Sequence, residues 1–279
     1  MTLHTIDTGL FKLDGGAMFG VVPKVMWQKL NPADDKNMCT WAMRCLLIED
    51  GNKLTLIDTG IGNKQDEKFT GHFYLHGDDS LEKSLKQKGF STSDITDVFL
   101  THLHFDHCGG AIKREKNKLI PAFDKAIYWS NTEHWNWAIK PNPREKASFL
   151  KENILPIKES GQLKLISTNQ KIDSLPFSLR FVDGHTEKQM LPQIKYKNRT
   201  IVFCADLIPS VHHVRLPYIM AYDMRPLKTL SEKEELLNEA VENDYILFFE
   251  HDPVNQCCTL QRTERGIMPK EIGQLSDFV

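Results

Sequence analysis

Three imidazoles and one carboxylate fall within six residues at His102-Leu103-His104-Phe105-Asp106-His107. Neutral imidazole nitrogen and carboxylate oxygen together suit Zn²⁺, and also Fe²⁺, Mn²⁺ or Co²⁺. The stretch follows the apolar run Val98-Phe99-Leu100 and leads into Gly109-Gly110, where the backbone is free to turn sharply. On a regular strand or helix these four side chains cannot all point one way, whereas on a loop they can diverge towards two centres. Further donors stand at other strand ends. His185 lies in Val182-Asp183-Gly184-His185-Thr186, Asp206 follows Ile201–Ala205, and His251 follows the run Tyr245–Phe249. A charged Asp206 past a buried strand is costly unless paired or metal-bound. No thiolate pair lies nearby, which argues against a structural zinc finger.

The elements that must position these residues can be outlined. Strand-like runs occur at Ala42–Ile48, Leu54–Ile57, Val98–Thr101, Ala126–Trp129, Leu179–Val182, Met190–Tyr196, Thr200–Ala205 and Tyr245–Glu250. Lys197-Asn198-Arg199 reads as a hairpin turn. Helical patterns cover Leu81–Lys88, capped by Ser80 and stopped by Gly89, and Glu232–Asn243, capped by Ser231. Asn131–Ile139 and Pro143–Asn153 are further helix candidates. Strands and helices mixed throughout predict a layered α/β architecture. A strand ending in aspartate, a helix and a strand ending in histidine occur twice, as Asp58 to His102 and Asp206 to His251, with nearly equal separations. The reading is therefore a single domain over residues 1–279 built from two quasi-symmetric halves.

Composition removes several classes of function. The 279 residues carry 35 Lys+Arg against 37 Asp+Glu, a net charge of -2, so there is no basic field for a nucleic-acid backbone. No apolar run approaches the ~18 residues needed to span a bilayer, and the N-terminal stretch lacks a secretory pattern; a cytoplasmic protein with no membrane partner is expected. The six cysteines are scattered and read as reduced thiols. There is no G-x-S-x-G elbow, Walker loop or G-x-G-x-x-G fingerprint, so serine-hydrolase chemistry and nucleotide binding have no motif. His4, His72, His76 and His134 are read as surface or capping histidines, and Lys113–Lys118 as a solvated loop.

His102, His104, Asp106 and His107 match the H-x-H-x-D-H motif, and Gly184-His185, Asp206 and His251 continue the pattern, so the sequence resembles the metallo-β-lactamase superfamily. The resemblance implies a four-layer αβ/βα sandwich and two divalent metal ions, with Zn favoured over Fe, Mn or Co. Carried over by position, His102, His104 and His185 would bind one metal, Asp106, His107 and His251 the other, and Asp206 would bridge them. Asp58, in Leu56-Ile57-Asp58-Thr59-Gly60, would orient ligands from outside the coordination sphere. Within the superfamily the sequence is most similar to N-acyl-homoserine lactonases, the quorum-quenching enzymes, on Phe19–Lys24, Arg44–Asp50 and Leu100–Gly110. The implied activity is opening of a lactone ring by a metal-bridging hydroxide, with Asp106 carrying the proton. The alternative is a phosphotriesterase or general esterase of the same fold. Where some lactonases of this group place a tyrosine, this chain has Pro209; His212 and His213 are the candidates to replace it, and Phe105 to face the pocket mouth. The implied partners are a small lactone or ester substrate and, from the resemblance alone, a second copy in a homodimer.

Overall fold

Buried aliphatic runs become strands in the computed structural model, which describes residues 1–168 and 174–279. The chain begins with β1 (Thr2–Asp14), α1 (Gly15–Phe19), α2 (Lys24–Trp27), β2 (Met38–Asp50) and β3 (Lys53–Ile57). Then come α3 (Glu67–Thr70), α4 (Leu81–Gln87), β4 (Asp97–Phe99) and α5 (Phe105–Cys108). They are followed by β5 (Ile112–Glu115), β6 (Lys118–Pro121), β7 (Ile127–Asn131), α6 (Thr132–Ile139), α7 (Lys151–Glu159) and β8 (Leu163–Ile166). The last stretch holds β9 (Ser178–Val182), β10 (Gln189–Tyr196), β11 (Arg199–Phe203), α8 (Pro226–Glu242), β12 (Ile246–Phe248), β13 (Cys257–Thr263) and β14 (Gly266–Gly273).

The fold is mixed α/β with two six-stranded sheets, ordered β1-β2-β3-β4-β7-β8 and β14-β13-β12-β11-β10-β9. The chain divides into two compact units. The first comprises Met1–Leu10, Met43–Pro176 and Glu187–Met190; the second comprises Phe11–Ala42, Phe177–Thr186 and Leu191–Val279. In the first unit β2 pairs antiparallel with β3, and β3 pairs parallel with β4. In the second, β10 pairs antiparallel with β11, and β11 parallel with β12. Parallel neighbours require a crossover, which runs through α4 in one case and α8 in the other. Both strands of each parallel pair therefore end at the same sheet edge. That places Asp58 and His102 past one pair of ends, and Asp206 and His251 past the other.

The apolar core of the first unit gathers Leu47, Leu56, Val98 and Leu100 from the strands with Leu85 of α4 and Ile154 and Ile157 of α7. Ser80 caps α4 by accepting from the Lys83 amide, as expected. Asn131 likewise caps α6 through the amide of His134. Three expectations shift. Helix α8 starts at Pro226, not Glu232: proline suits the first helical position, and Ser231 lies inside the helix. The helix expected at Pro143–Asn153 begins only at Lys151, because Asn142 accepts from the Arg144 and Glu145 amides and holds that stretch in turns. Lys113–Lys118 is not a loop but most of an exposed hairpin, β5–β6. Strands β1 and β14 escaped the sequence reading because they bury too few residues to leave an apolar run. Among the described residues no helix is long and apolar enough to cross a membrane.

Candidate metal centre

In the first unit the H-x-H-x-D-H stretch leaves β4 as a loop and enters the short helix α5, with all of its residues buried. Its protonation pattern follows from its partners. The Thr101 hydroxyl has a single proton and donates it in a hydrogen bond to Asp58 Oδ2 at 2.6 Å. Thr101 Oγ1 can then only accept from His102 Nδ1, 3.1 Å away. This leaves the lone pair of His102 on Nε2. His104 donates from Nε2 to Glu145 Oε1 at 3.0 Å, which leaves its lone pair on Nδ1. As neutral imidazoles these two nitrogens face one another at 3.1 Å with a lone pair each, an arrangement that a shared proton or a cation between them would relieve. His107 donates from Nδ1 to Asp58 Oδ2 at 3.1 Å and turns Nε2 towards Asp106 Oδ2, 3.8 Å away.

The second unit repeats the pattern with ligands far apart in sequence. His185 Nδ1 donates to Asp223 Oδ1 at 2.8 Å, and its Nε2 faces Asp206 Oδ2 at 3.0 Å. His251 Nδ1 donates to the Ala42 carbonyl at 2.8 Å, and its Nε2 faces Asp206 Oδ1 at 3.0 Å. One carboxylate thus offers each of its oxygens to a different imidazole. Burial alone would lower the basicity of His185, but Asp206 and Asp223 outweigh it and push its pKa up to about 10. The pocket around this imidazole is therefore electronegative enough to want a positive charge. All five imidazoles have one nitrogen pinned by a partner and the other presented to a donor cluster, which is how metal-ligating histidines are held. The residues present fit divalent metal ions of the Zn type.

Several supporting residues left little trace in the sequence. Glu145 is buried and also accepts from Trp137 Nε1 at 2.6 Å, which fixes the carboxylate that holds His104. His72 and His76 are exposed and His4 half-buried, but His134 is fully buried, which corrects its assignment to the surface or a cap. It accepts from the Leu103 amide at 2.8 Å, between His102 and His104, and donates from Nδ1 to the Glu187 carbonyl. Asn131, three residues earlier, reaches the Lys188 carbonyl at 2.8 Å. In the second unit α8 does comparable work: Glu232 accepts from the amides of Asp183 and Gly184, both at 2.9 Å. A Cβ at Gly184 would overlap Thr229, so only glycine lets the chain pass this close to the helix. Lys233 is fully buried and donates to the carbonyls of His213, Arg215 and Tyr218 at 2.8, 3.0 and 2.7 Å. Desolvation lowers its pKa to about 7. The one available signal was spacing, since Lys233 lies on the same helical stripe as Leu236, Leu237 and Ala240.

The substrate-side candidates separate. Phe105 is buried and packs with Phe73 and Phe69, at ring distances of 4.6 and 5.3 Å. Phe69 and Phe73 are partly exposed, so the trio presents an apolar surface beside Asp106. His213 is fully buried and stacked on Phe19. It donates to the Met18 carbonyl at 2.9 Å and accepts from Ser210 at 2.7 Å. Burial lowers its pKa to about 3, and neither nitrogen is left for a substrate carbonyl, so His213 packs instead of binding. His212 is half-buried. All six cysteines are buried thiols outside any disulfide.

Comparison with known proteins agrees with this geometry. The model of the metallo-beta-lactamase superfamily matches residues 44–251. A probable metallo-hydrolase of Mycobacterium bovis is 23% identical over 241 residues, covering 75% of this chain and 74% of the relative. The crystal structure of a probable metal-dependent hydrolase from Staphylococcus aureus superposes with a TM-score of 0.88 at 27% identity, over 98% of this chain and 96% of that one. AidC, a dizinc quorum-quenching lactonase in complex with its product, superposes with a TM-score of 0.77 at 23% identity, over 96% and 93%.

Proposed function

The chain belongs to the metallo-beta-lactamase superfamily, and from that premise we propose that it is a dinuclear metal-dependent hydrolase that opens lactone rings, with N-acyl-homoserine lactones as its substrates. The observation that carries the reading is the set of five imidazoles, each pinned at one nitrogen and presenting the other. In this reading the first unit's His102, His104, Asp106 and His107 and the second unit's His185, Asp206 and His251 are the residues that would hold the two ions. Asp206, with an oxygen towards each of two imidazoles, would be the ligand common to both ions. The proposed occupant is a pair of divalent ions, zinc first by donor type. Bound there, they supply Lewis acidity and lower the pKa of water.

The chain's own residues do the rest. Asp58, Glu145 and Asp223 hold the imidazoles in the tautomer and orientation the reaction needs. The Asp106 carboxylate takes the proton of the attacking water and returns it to the alkoxide that leaves as the ring opens. Phe105, with Phe69 and Phe73, offers an apolar bed for the acyl chain, and this supports a lactone with a hydrocarbon tail over a small polar ester. His212 is the remaining candidate donor to the substrate carbonyl in place of the tyrosine that Pro209 displaces.

The test is turnover of homoserine lactones with four- to twelve-carbon acyl chains and of a phosphotriester by the same metal-analysed preparation. Lactone opening that dominates by at least two orders of magnitude is expected. Full metal content with phosphotriester turnover and no lactone opening would move the assignment to the esterase alternative. Asp106→Asn should retain metal while kcat falls by orders of magnitude; near wild-type turnover removes Asp106 from the proton path.

A further inference from the structure

A second pocket, of about 550 Å³, lies within the second unit and involves none of the metal donors. That volume falls within the size range of small-molecule sites, roughly 300–1,000 Å³. Its walls are the loop at Arg215 to Tyr218, one face of α8 at Leu237, and the β13–β14 hairpin at Arg262, Arg265 and Ile267. The floor is apolar: Leu237 and Tyr218 are buried and Ile267 half-buried, while Met26 at the mouth remains 49% exposed. The rim is cationic. Arg262 is paired with Glu242 at 2.9 Å and is neutralised. Arg215 lies over the Tyr218 ring, 5.5 Å from its centroid, and donates to the Tyr218 hydroxyl at 3.3 Å. Among the described residues neither Arg215 nor Arg265 has a carboxylate within ion-pair distance, and Glu234 is the single acid in the wall. Two guanidiniums against one carboxylate leave the rim positive above an apolar floor.

We propose that this pocket is a binding site for a monomeric medium-chain carboxylate, with its chain on the Leu237–Ile267 floor and its head on Arg215 and Arg265. Guanidinium forks match a carboxylate, and Arg215 is already oriented by Tyr218, so little rotamer freedom is lost on binding. A neutral molecule with the same chain gains nothing from the rim. The loop that forms one wall is the one Lys233 holds through the Arg215 and Tyr218 carbonyls. Binding therefore stiffens a segment that runs between Asp206 and Asp223. The binding claim stands without the lactonase reading. If that reading also holds, the site distinguishes a hydrolysed, anionic product from its neutral lactone.

The test is calorimetric titration of the full-length metal-loaded protein with decanoate below its micellar concentration, with decan-1-ol as the neutral probe. Saturable one-site binding is expected, at least tenfold weaker for decan-1-ol and for the Arg215→Gln/Arg265→Gln double variant, with unchanged thermal melting of the unliganded variant. Repeating the titration on metal-free protein separates this pocket from the metal centre, and binding should persist there. No saturable binding, equal affinity for the alcohol, an unaffected double variant or loss of binding on metal removal would each overturn the proposal.

Discussion

Asp58 and Asp206 both follow the first strand of a parallel pair, yet Asp58 accepts from His107 and the Thr101 hydroxyl while Asp206 turns an oxygen to each of two imidazoles and is the proposed ligand. The backbone explains the difference. At the end of β3, Asp58 itself is the left-handed residue, with φ of +58°, and its carboxylate folds back onto the Thr101 amide and hydroxyl. At the end of β11 it is Ala205 that turns left-handed, with φ of +40°, and Asp206 is carried outward by the turn that follows. A non-glycine residue in this region is strained by ~1–3 kcal/mol, which the surrounding structure must offset. One topology thus yields a support in the first unit and a proposed ligand in the second through a shift of the turn.

The two ligand sets differ in the same spirit. The first unit places four donors on one loop and fastens that loop from outside, with Asp58, Glu145 and His134. The second unit takes single donors from three strand ends and holds two of them separately, His185 through Asp223 and through Glu232 of α8 on the preceding backbone, and His251 through the Ala42 carbonyl. If this contrast is right, the largest effect belongs to Asp206. Asp206→Ala should lose at least one metal equivalent and reduce turnover by three or more orders of magnitude, checked by elemental analysis and kinetics on one sample. Asp58→Asn should keep both metals at saturation. Equal metal loss in the two variants would erase the distinction between support and ligand.

Smaller effects should follow for the fastening residues. Glu145→Ala and Asp223→Ala should each weaken metal affinity by roughly 10–100-fold, measured by competition with a chelator, because each frees one imidazole from its partner. His134→Ala leaves the buried Leu103 amide without its acceptor and should cost about 1–3 kcal/mol in chemical denaturation, with little change in metal affinity at saturation. A loss confined to metal affinity would make His134 a local orienter, not a fastener of the loop.

The last effect concerns Lys233 and is read as a pH slope. Its pKa in the folded protein is lowered to about 7, so between that value and its ordinary range the unfolded chain binds the extra proton. The stability of the wild type relative to Lys233→Met should therefore rise with pH across that window. Asp223 is the charged group whose field acts on this lysine, opposing its loss of the proton. A flat or falling difference in melting temperature would mean that Lys233 stays protonated while buried.

Legibility in the sequence followed the same division. The first ligand set was visible because its donors are adjacent, so spacing alone carried the chemistry. His185, Asp206 and His251 were visible only as polar residues at the ends of apolar runs, and they became a set through the resemblance. Glu145 and Asp223 were not legible, since a single acid in a turn has no spacing to betray it. His134 was misread because a lone histidine on a short helix looks the same in sequence whether it faces water or the back of a ligand loop. His213 was read as a donor from its nearness to Pro209, but burial and two hydrogen bonds decided otherwise.

The sequence by itself determined the donor types, the α/β alternation and the strand ends at which the donors lie, because these depend on residue chemistry and on hydrophobic period. Only the tertiary structure decided which nitrogen of each histidine is turned towards the donor cluster, which groups hold the other, and where α8 begins. Those outcomes depend on groups distant in the chain: Glu145 on His104, Asp223 on His185, Ala42 on His251. A hydrogen bond between such partners is set by the packing that brings them together, and no local pattern in the chain encodes it.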